Sequence, residues 1–60
     1  MSAQLPNDPM ILLSVINTKL RDHYSNLESL CQDLMLDEEE LKHKFATIDY
    51  EYDAHTNQFV

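Results

Sequence analysis

The sequence has no glycine and no tryptophan, and it has one cysteine among its 60 residues. Without glycine the chain cannot build the phosphate loops, dinucleotide-binding turns or nucleophile elbows whose backbone only glycine tolerates. A single cysteine excludes an internal disulfide and a cysteine-based metal cluster, and it is typical of a reducing compartment. The chain also lacks an apolar run of about 18 residues and the basic start of a signal peptide. We therefore expect a cytoplasmic protein that does not associate with membranes.

Basic residues are also scarce. Four lysines and arginines stand against eleven aspartates and glutamates, which gives a net charge of −7. Residues 1–24 are neutral overall, so the whole excess lies in residues 25–60, which hold nine acidic and two basic residues. A surface of this charge repels the phosphates of nucleic acids and anionic lipids. We expect no direct binding to nucleic acid.

What the chain does have is a series of helix start signals after a polar lead-in at residues 1–7. Asp8 can cap a helix whose first position is Pro9, because proline loses nothing there. Ser25 and Glu28 fit a capping box, and Asp37 opens a second one. These signals predict helices over 9–23, 26–34 and 38–48. At 60 residues the chain forms one domain, close to the lower size limit for folding without a disulfide, a bound metal or oligomerisation.

Apolar periodicity agrees with these helices and predicts the core. The last residues differ: 50–60 alternate like strands around turn formers, which predicts a hairpin with Asn57 as its left-handed residue. Met35 takes the turn position between the second and third helices, where a left-handed backbone is usual. The fold predicted is mainly α, a three-helix, helix-turn-helix-like (winged-helix-like) domain with a short C-terminal β-hairpin; another small helical arrangement is the alternative. The expected core positions are Leu13, Ile16, Leu20, Tyr24, Leu27, Leu30, Cys31, Leu34, Leu41, Phe45 and Ile48.

Several segments resemble one protein family along nearly the whole chain. They are Leu5–Ser14, Asn17–Asp22, Tyr50–Asp53 and Asn57–Phe59. The chain resembles domain of unknown function 4250, a family of small bacterial proteins. The resemblance implies a bacterial cytosolic protein without an assigned activity, and it transfers no catalytic or binding residues. Asp49 departs from it, since a glycine is expected before the tyrosines.

Candidate chemical groups are few. Cys31 could join His23, His43 or His55 in a metal site or a nucleophilic pair, but no two of them have ligand-like spacing. Cys31 also falls in the apolar stripe of the second helix, so packing is the better interpretation. The acidic run Glu38–Glu40 points around a helix and does not converge on a cation. We predict no catalytic, cofactor-binding or metal-binding residues, and no enzymatic activity.

The first predicted helix is apolar on two sides. Ile11 and Val15 point almost opposite to the core face, and the hairpin, a partner protein or a second copy could cover them. Asn17 flanks the core face and must find hydrogen-bond partners if it is buried. Leu12 is expected to join the outer contact. The candidate interface consists of Met10, Ile11, Val15, Thr18, Lys19 and Asp22.

These observations favour a non-catalytic protein–protein interaction module, a homodimer or the partner of an unidentified protein. The outward side of 38–48 is acidic and the hairpin carries no lysine or arginine, which argues against reading DNA. The alternative is a nucleic-acid-linked regulator. Such a regulator would occupy the DNA-binding surface of another protein, or bind DNA weakly as a winged helix.

Overall fold

The computed structural model describes residues 5–60, in which three helices precede one antiparallel hairpin. This confirms the predicted fold class. The lead-in prediction for residues 1–4 lies outside the described residues. Leu5 and Pro6 are half-buried, and Leu5 packs against the core, so a purely polar lead-in was wrong for this part. The elements are α1 (Pro9–Asp22), α2 (Leu27–Leu34), α3 (Glu38–Ala46), β1 (Tyr52–Asp53) and β2 (Gln58–Phe59).

The start of α1 follows the sequence signal. The Asp8 carboxylate accepts hydrogen bonds from the backbone N–H groups of Met10 (2.9 Å) and Ile11 (3.3 Å), and Pro9 occupies the first helical position. The helix ends at Asp22, one residue earlier than predicted, and His23 is its C-cap. An aspartate cap satisfies N–H groups that no helical carbonyl can reach, so it fixes where α1 begins.

The start of α2 differs from the predicted capping box. Asn26, and not Ser25, is the N-cap, and its side chain accepts a 2.7 Å hydrogen bond from the backbone N–H of Ser29. The helix therefore begins at Leu27, one residue later than predicted. Glu28 is then the second helical residue, whereas the reciprocal bond of a capping box needs a glutamate at the third position.

A left-handed residue terminates or follows two of the helices, as is common in proteins. Met35 closes α2 with φ 58°, as predicted, and the N–H of Leu36 donates to the carbonyl of Cys31 at 2.8 Å. Asp49 takes the same role after α3 with φ 65°, so the expected glycine position is a left-handed one. Because the turn leading to Asp49 begins at Thr47, α3 ends at Ala46 and not at residue 48.

The strands of the hairpin cover less than the predicted range 50–60, although its backbone pairing extends to Glu51 and Val60. Tyr52 lies opposite Phe59 and Asp53 opposite Gln58. Glu51 and Val60 also exchange two backbone hydrogen bonds of 3.0 and 2.9 Å. Asn57 is left-handed at φ 55°, as predicted, and it ends the turn that leads into β2.

One cluster of buried side chains joins α1, α2, α3 and β2. Phe59 from the hairpin packs edge-on against Phe45 from α3, with ring centroids 4.6 Å apart. Tyr24, Leu34 and Ile48 were predicted as core and are half-buried at its margin. The buried residues are Leu12, Leu13, Ile16, Leu20, Leu27, Leu30, Cys31, Leu41, Phe45 and Phe59.

Candidate functional site on the first helix

One flank of α1 is joined to the hairpin through Asn17. Its carboxamide donates to the carbonyl of Phe59 at 3.2 Å and accepts from the N–H of the same residue at 2.8 Å. The side chain thus pairs with β2 as a neighbouring strand would, and it covers backbone groups that would otherwise form an open edge. The predicted need of Asn17 for a hydrogen-bond partner is confirmed.

Asn57 makes the second link between the hairpin and α1. Its side-chain amide donates to the carbonyls of Leu20 (3.0 Å) and Tyr24 (2.9 Å), at the end of the helix where carbonyls lack helical partners. Its oxygen accepts a 2.6 Å hydrogen bond from the Tyr52 hydroxyl. One carboxamide therefore caps α1 and holds the hairpin to it.

A groove of about 600 Å³ runs between this flank of α1 and the hairpin. The two carboxamides that line it, those of Asn17 and Asn57, already bond α1 to the hairpin. Specific small-molecule sites usually offer polar groups that the ligand completes. The groove is therefore better explained by the docking of the hairpin. Its lining includes Met10, Ser14, Asn17, Thr18, Arg21 and Gln58.

The outer face of α1 carries the side chains that the hairpin leaves uncovered. Ile11 is 57% exposed, Val15 is half-buried, and Asp22 is exposed. The structure therefore separates the alternatives left open by the sequence: the hairpin lies on the Asn17 flank and does not cover Ile11. We call Ile11, Val15, Thr18 and Asp22 the outer face.

The other candidate interface residues lie around the outer face. Met10 is 53% exposed but points about 100° away from Ile11 and lines the hairpin groove, which Thr18 also borders. Lys19 is half-buried. The expectation that Leu12 joins an outer contact was wrong, because Leu12 is 4% exposed and belongs to the core. Leu12 lies beside Leu36 and Leu41, with which it lines a groove at α3.

Charge on the outer face is locally balanced. Arg21 and Asp22 form two hydrogen bonds of 2.9 and 3.0 Å. The hydrogen bond from Arg21 lowers the pKa of the Asp22 carboxyl below its ordinary value. A neutral, partly apolar helix face is suited to contact with another protein surface.

The surroundings of Cys31 are those of a core residue. Cys31 is buried as predicted, and burial raises the pKa of its thiol above the ordinary value, with the carboxylates of Glu38 and Asp37 adding to the effect. A reactive cysteine needs the opposite shift and an accessible sulfur. Within residues 5–60 no three histidine, cysteine or acidic side chains converge on a point that could hold a metal ion.

The outward side of α3 is the surface with which a helix-turn-helix protein would read DNA. There the ammonium group of Lys42 lies 3.1 Å from the Glu38 carboxylate and 3.9 Å from that of Glu39. These partners raise the pKa of Lys42, the hydrogen bond that Lys42 donates to Glu38 contributing most. A basic group held by two carboxylates is a poor phosphate ligand.

The fold and surfaces define a small, mainly α, helix-turn-helix-like domain with an acidic surface. The sequence profile of domain of unknown function (DUF4250) matches residues 6–59, so the chain belongs to this family, as its sequence segments had indicated. No curated protein and no solved structure matches the chain. No helix in the described range 5–60 is long and apolar enough to cross a membrane.

Proposed function

We propose that this chain is a non-catalytic, cytoplasmic protein-interaction module that forms a two-fold dimer through the outer face of α1. The observation that carries the proposal is the 57% exposure of Ile11 on a helix whose other flank is bonded to the hairpin through Asn17 and Asn57. Exposed apolar side chains at one helical face are the usual material of a helix–helix contact. A two-fold axis lets the same face serve both copies.

The distribution of charge along the chain supports a second copy as the partner that contacts the outer face. Residues 1–24 are neutral, whereas residues 25–60 carry the full charge of −7. Contact through α1 brings neutral surfaces together and keeps the acidic parts of the two copies apart. A contact through α3 would instead bring together two surfaces that each carry Glu38, Glu39 and Glu40.

The size of the outer face sets the expected affinity of the dimer. A stable interface of standard size buries about 800 Å² on each partner. The 14 residues of α1 span only about 21 Å at 1.5 Å per residue. The outer face alone therefore supports a weak dimer, with a dissociation constant on the order of 10–100 µM.

Sedimentation velocity of the wild type and of Ile11→Glu tests the proposal. Ile11 is the better site for the substitution because Val15 is half-buried and its replacement could unfold the chain. The wild type is expected to dimerise as its concentration rises through about 10–300 µM, while Ile11→Glu remains monomeric. Ala46→Glu adds the same charge at an exposed position of α3 and should dimerise as the wild type does. A wild type that is monomeric throughout, or a dimeric Ile11→Glu, contradicts the proposal.

The alternative, a nucleic-acid-linked regulator, divides into two forms. The ion pairs of Lys42 weigh against direct contact between α3 and a duplex. An acidic factor that occupies another protein's DNA-binding surface agrees with the charge of residues 25–60. Sub-micromolar, sequence-dependent retardation of duplex DNA at physiological salt would favour direct DNA binding.

A further inference from the structure

A second groove, about 720 Å³ in volume, lies on the molecule away from the hairpin. Its apolar lining comes from Leu12 of α1, Leu36 of the turn before α3, and Leu41 of α3, with Leu5 and Pro6 along one side. Leu12 and Leu41 also belong to the buried core, so this groove has a well-packed floor. We call it the leucine groove.

The rim of the leucine groove is acidic. Three carboxylates, those of Asp37, Glu39 and Glu40, line it together with one ammonium group, that of Lys44. Asp37 already accepts the N–H groups of Glu39 and Glu40, at 2.9 and 3.3 Å. Among the ion pairs of residues 5–60, none involves Glu40. Its exposed carboxylate is therefore available to a cation that enters the groove.

We infer that the leucine groove docks a short peptide segment of a partner protein, one in which bulky apolar side chains are flanked by lysine or arginine. Apolar groups would contact the leucine floor while cationic groups face the rim. A small molecule fits the site less well, because no unpaired polar group buried within residues 5–60 is present to orient it. Short segments recognised by apolar pockets and peripheral charge are a common mode of binding.

In the described residues of a second copy, no exposed apolar residue directly adjoins a lysine or arginine in the sequence. The apolar residues that adjoin its bases are Leu20, Leu41 and Phe45. All three are buried, with exposures of 2%, 5% and 0%. The occupant we propose is therefore a different protein, and this contact is independent of the dimer through the outer face.

Fluorescence anisotropy with a labelled probe peptide tests the inference on the full chain. The probe has three leucines flanked by two lysines on each side; one control probe replaces the lysines with glutamates, and the other replaces the leucines with serines. The leucine–lysine probe is expected to bind with a dissociation constant on the order of 10–100 µM and both control probes at least about tenfold more weakly. Amide resonances of Leu36, Lys44 and Thr47 should shift when it binds.

Two matched charge reversals locate the site. Glu40→Lys should weaken binding by about three- to tenfold, whereas Glu28→Lys should change it by less than about twofold. Both glutamates are exposed and lie in the first turn of a helix, but Glu28 does not line the groove. The inference would be overturned if both variants lost the same affinity, or if the glutamate probe bound as well as the lysine probe. It would also be overturned if the leucine–lysine probe did not bind, or if it shifted only resonances of the outer face. Groove resonances that shift on dilution without peptide would overturn it too, since a second copy would then be the occupant.

Discussion

The helix-turn-helix half and the hairpin half of the molecule are held in place by different interactions. In the first, Asn26 and Asp37 cap α2 and α3 through hydrogen bonds to backbone groups within three residues of their own positions. The apolar faces of these helices then pack in the core. In the second, Asn17 and Asn57 bond across 33 to 42 residues of sequence, next to the single buried anchor Phe59. The comparison shows that short-range rules build the helices, whereas long-range amide contacts place the hairpin.

The difference also explains what remains available for function. Because two carboxamides hold the hairpin on one flank of α1, it does not extend over Ile11. The outer face is left uncovered on a chain that is close to the lower size limit for independent folding. Docking of the hairpin and the availability of a contact surface are therefore two consequences of one arrangement.

The largest effect is expected from Phe59→Ala. This side chain is buried and packs against Phe45 and Tyr52 at centroid distances of 4.6 and 5.6 Å. Its truncation should lower the free energy of unfolding by about 3–5 kcal/mol, which is most of the stability of so small a domain. Urea unfolding followed by circular dichroism measures the loss. Val60→Ala, at an exposed neighbour, should change little, and a wild-type midpoint for Phe59→Ala would show that the hairpin is not anchored here.

The second effect separates the side chain of Asn57 from its backbone conformation. Glycine adopts a left-handed backbone freely, so Asn57→Gly removes only the hydrogen bonds to Leu20, Tyr24 and Tyr52. The free energy of unfolding should fall by about 1–3 kcal/mol, because partly buried carbonyls lose their donors. Chemical denaturation measures it. An unchanged stability would mean that the long-range amide contacts do not hold the hairpin.

The same substitution should have the opposite sign in the helical half. Met35 is 90% exposed and Asp49 is exposed, so neither left-handed residue gains from side-chain contacts what its backbone costs. Met35→Gly and Asp49→Gly should each raise the free energy of unfolding by about 0.5–1 kcal/mol. Thermal and urea unfolding of the single and double variants check this. As a control, Ala46→Gly at a right-handed helical position should be destabilising; destabilisation by all three glycines would contradict the account.

The smallest effect concerns pH. Burial holds the pKa of the Cys31 thiol above its ordinary value of about 9, so the unfolded chain loses this proton first as the pH rises. The contribution of the protonated thiol to the free energy of unfolding is complete below the unfolded-state pKa, and it is lost as the pH rises through the folded-state pKa. As the pH rises above 8, wild type should lose more stability than Cys31→Ala. The pKa of the Tyr24 phenol is also raised, by its hydrogen bond to Asp33. Subtracting the free energies of unfolding of the two proteins at each pH cancels the contribution of this phenol. Maleimide labelling of the native thiol as fast as that of a free peptide would contradict burial.

Much of the fold could be predicted because its determinants are local. The caps at Asp8 and Asp37, the left-handed Met35 and Asn57, and the apolar periodicity all act within a few residues. The errors arose where neighbours compete. Two adjacent residues can cap α2, and the side chain that faces the N–H of Ser29 decides in favour of Asn26.

The candidate site could be predicted only in part. The two-sided character of α1 and the polar need of Asn17 follow from helical spacing. The burial of Leu12 does not, because at the edge of the core face it depends on where α3 and the lead-in pack. The leucine groove was likewise hidden, since its lining comes from three separated stretches of sequence whose closeness only the tertiary structure reveals.

A nuclear magnetic resonance dilution series of the ¹⁵N-labelled wild type tests the central claim most directly, because it observes both sides of α1 at once. Between about 500 and 20 µM, the account predicts concentration-dependent shifts for the amides of Ile11, Val15 and Asp22. It predicts constant resonances for the carboxamides of Asn17 and Asn57 and for the amide of Phe59. Constant outer-face resonances, or shifts centred on Asn17 and Phe59, would contradict it.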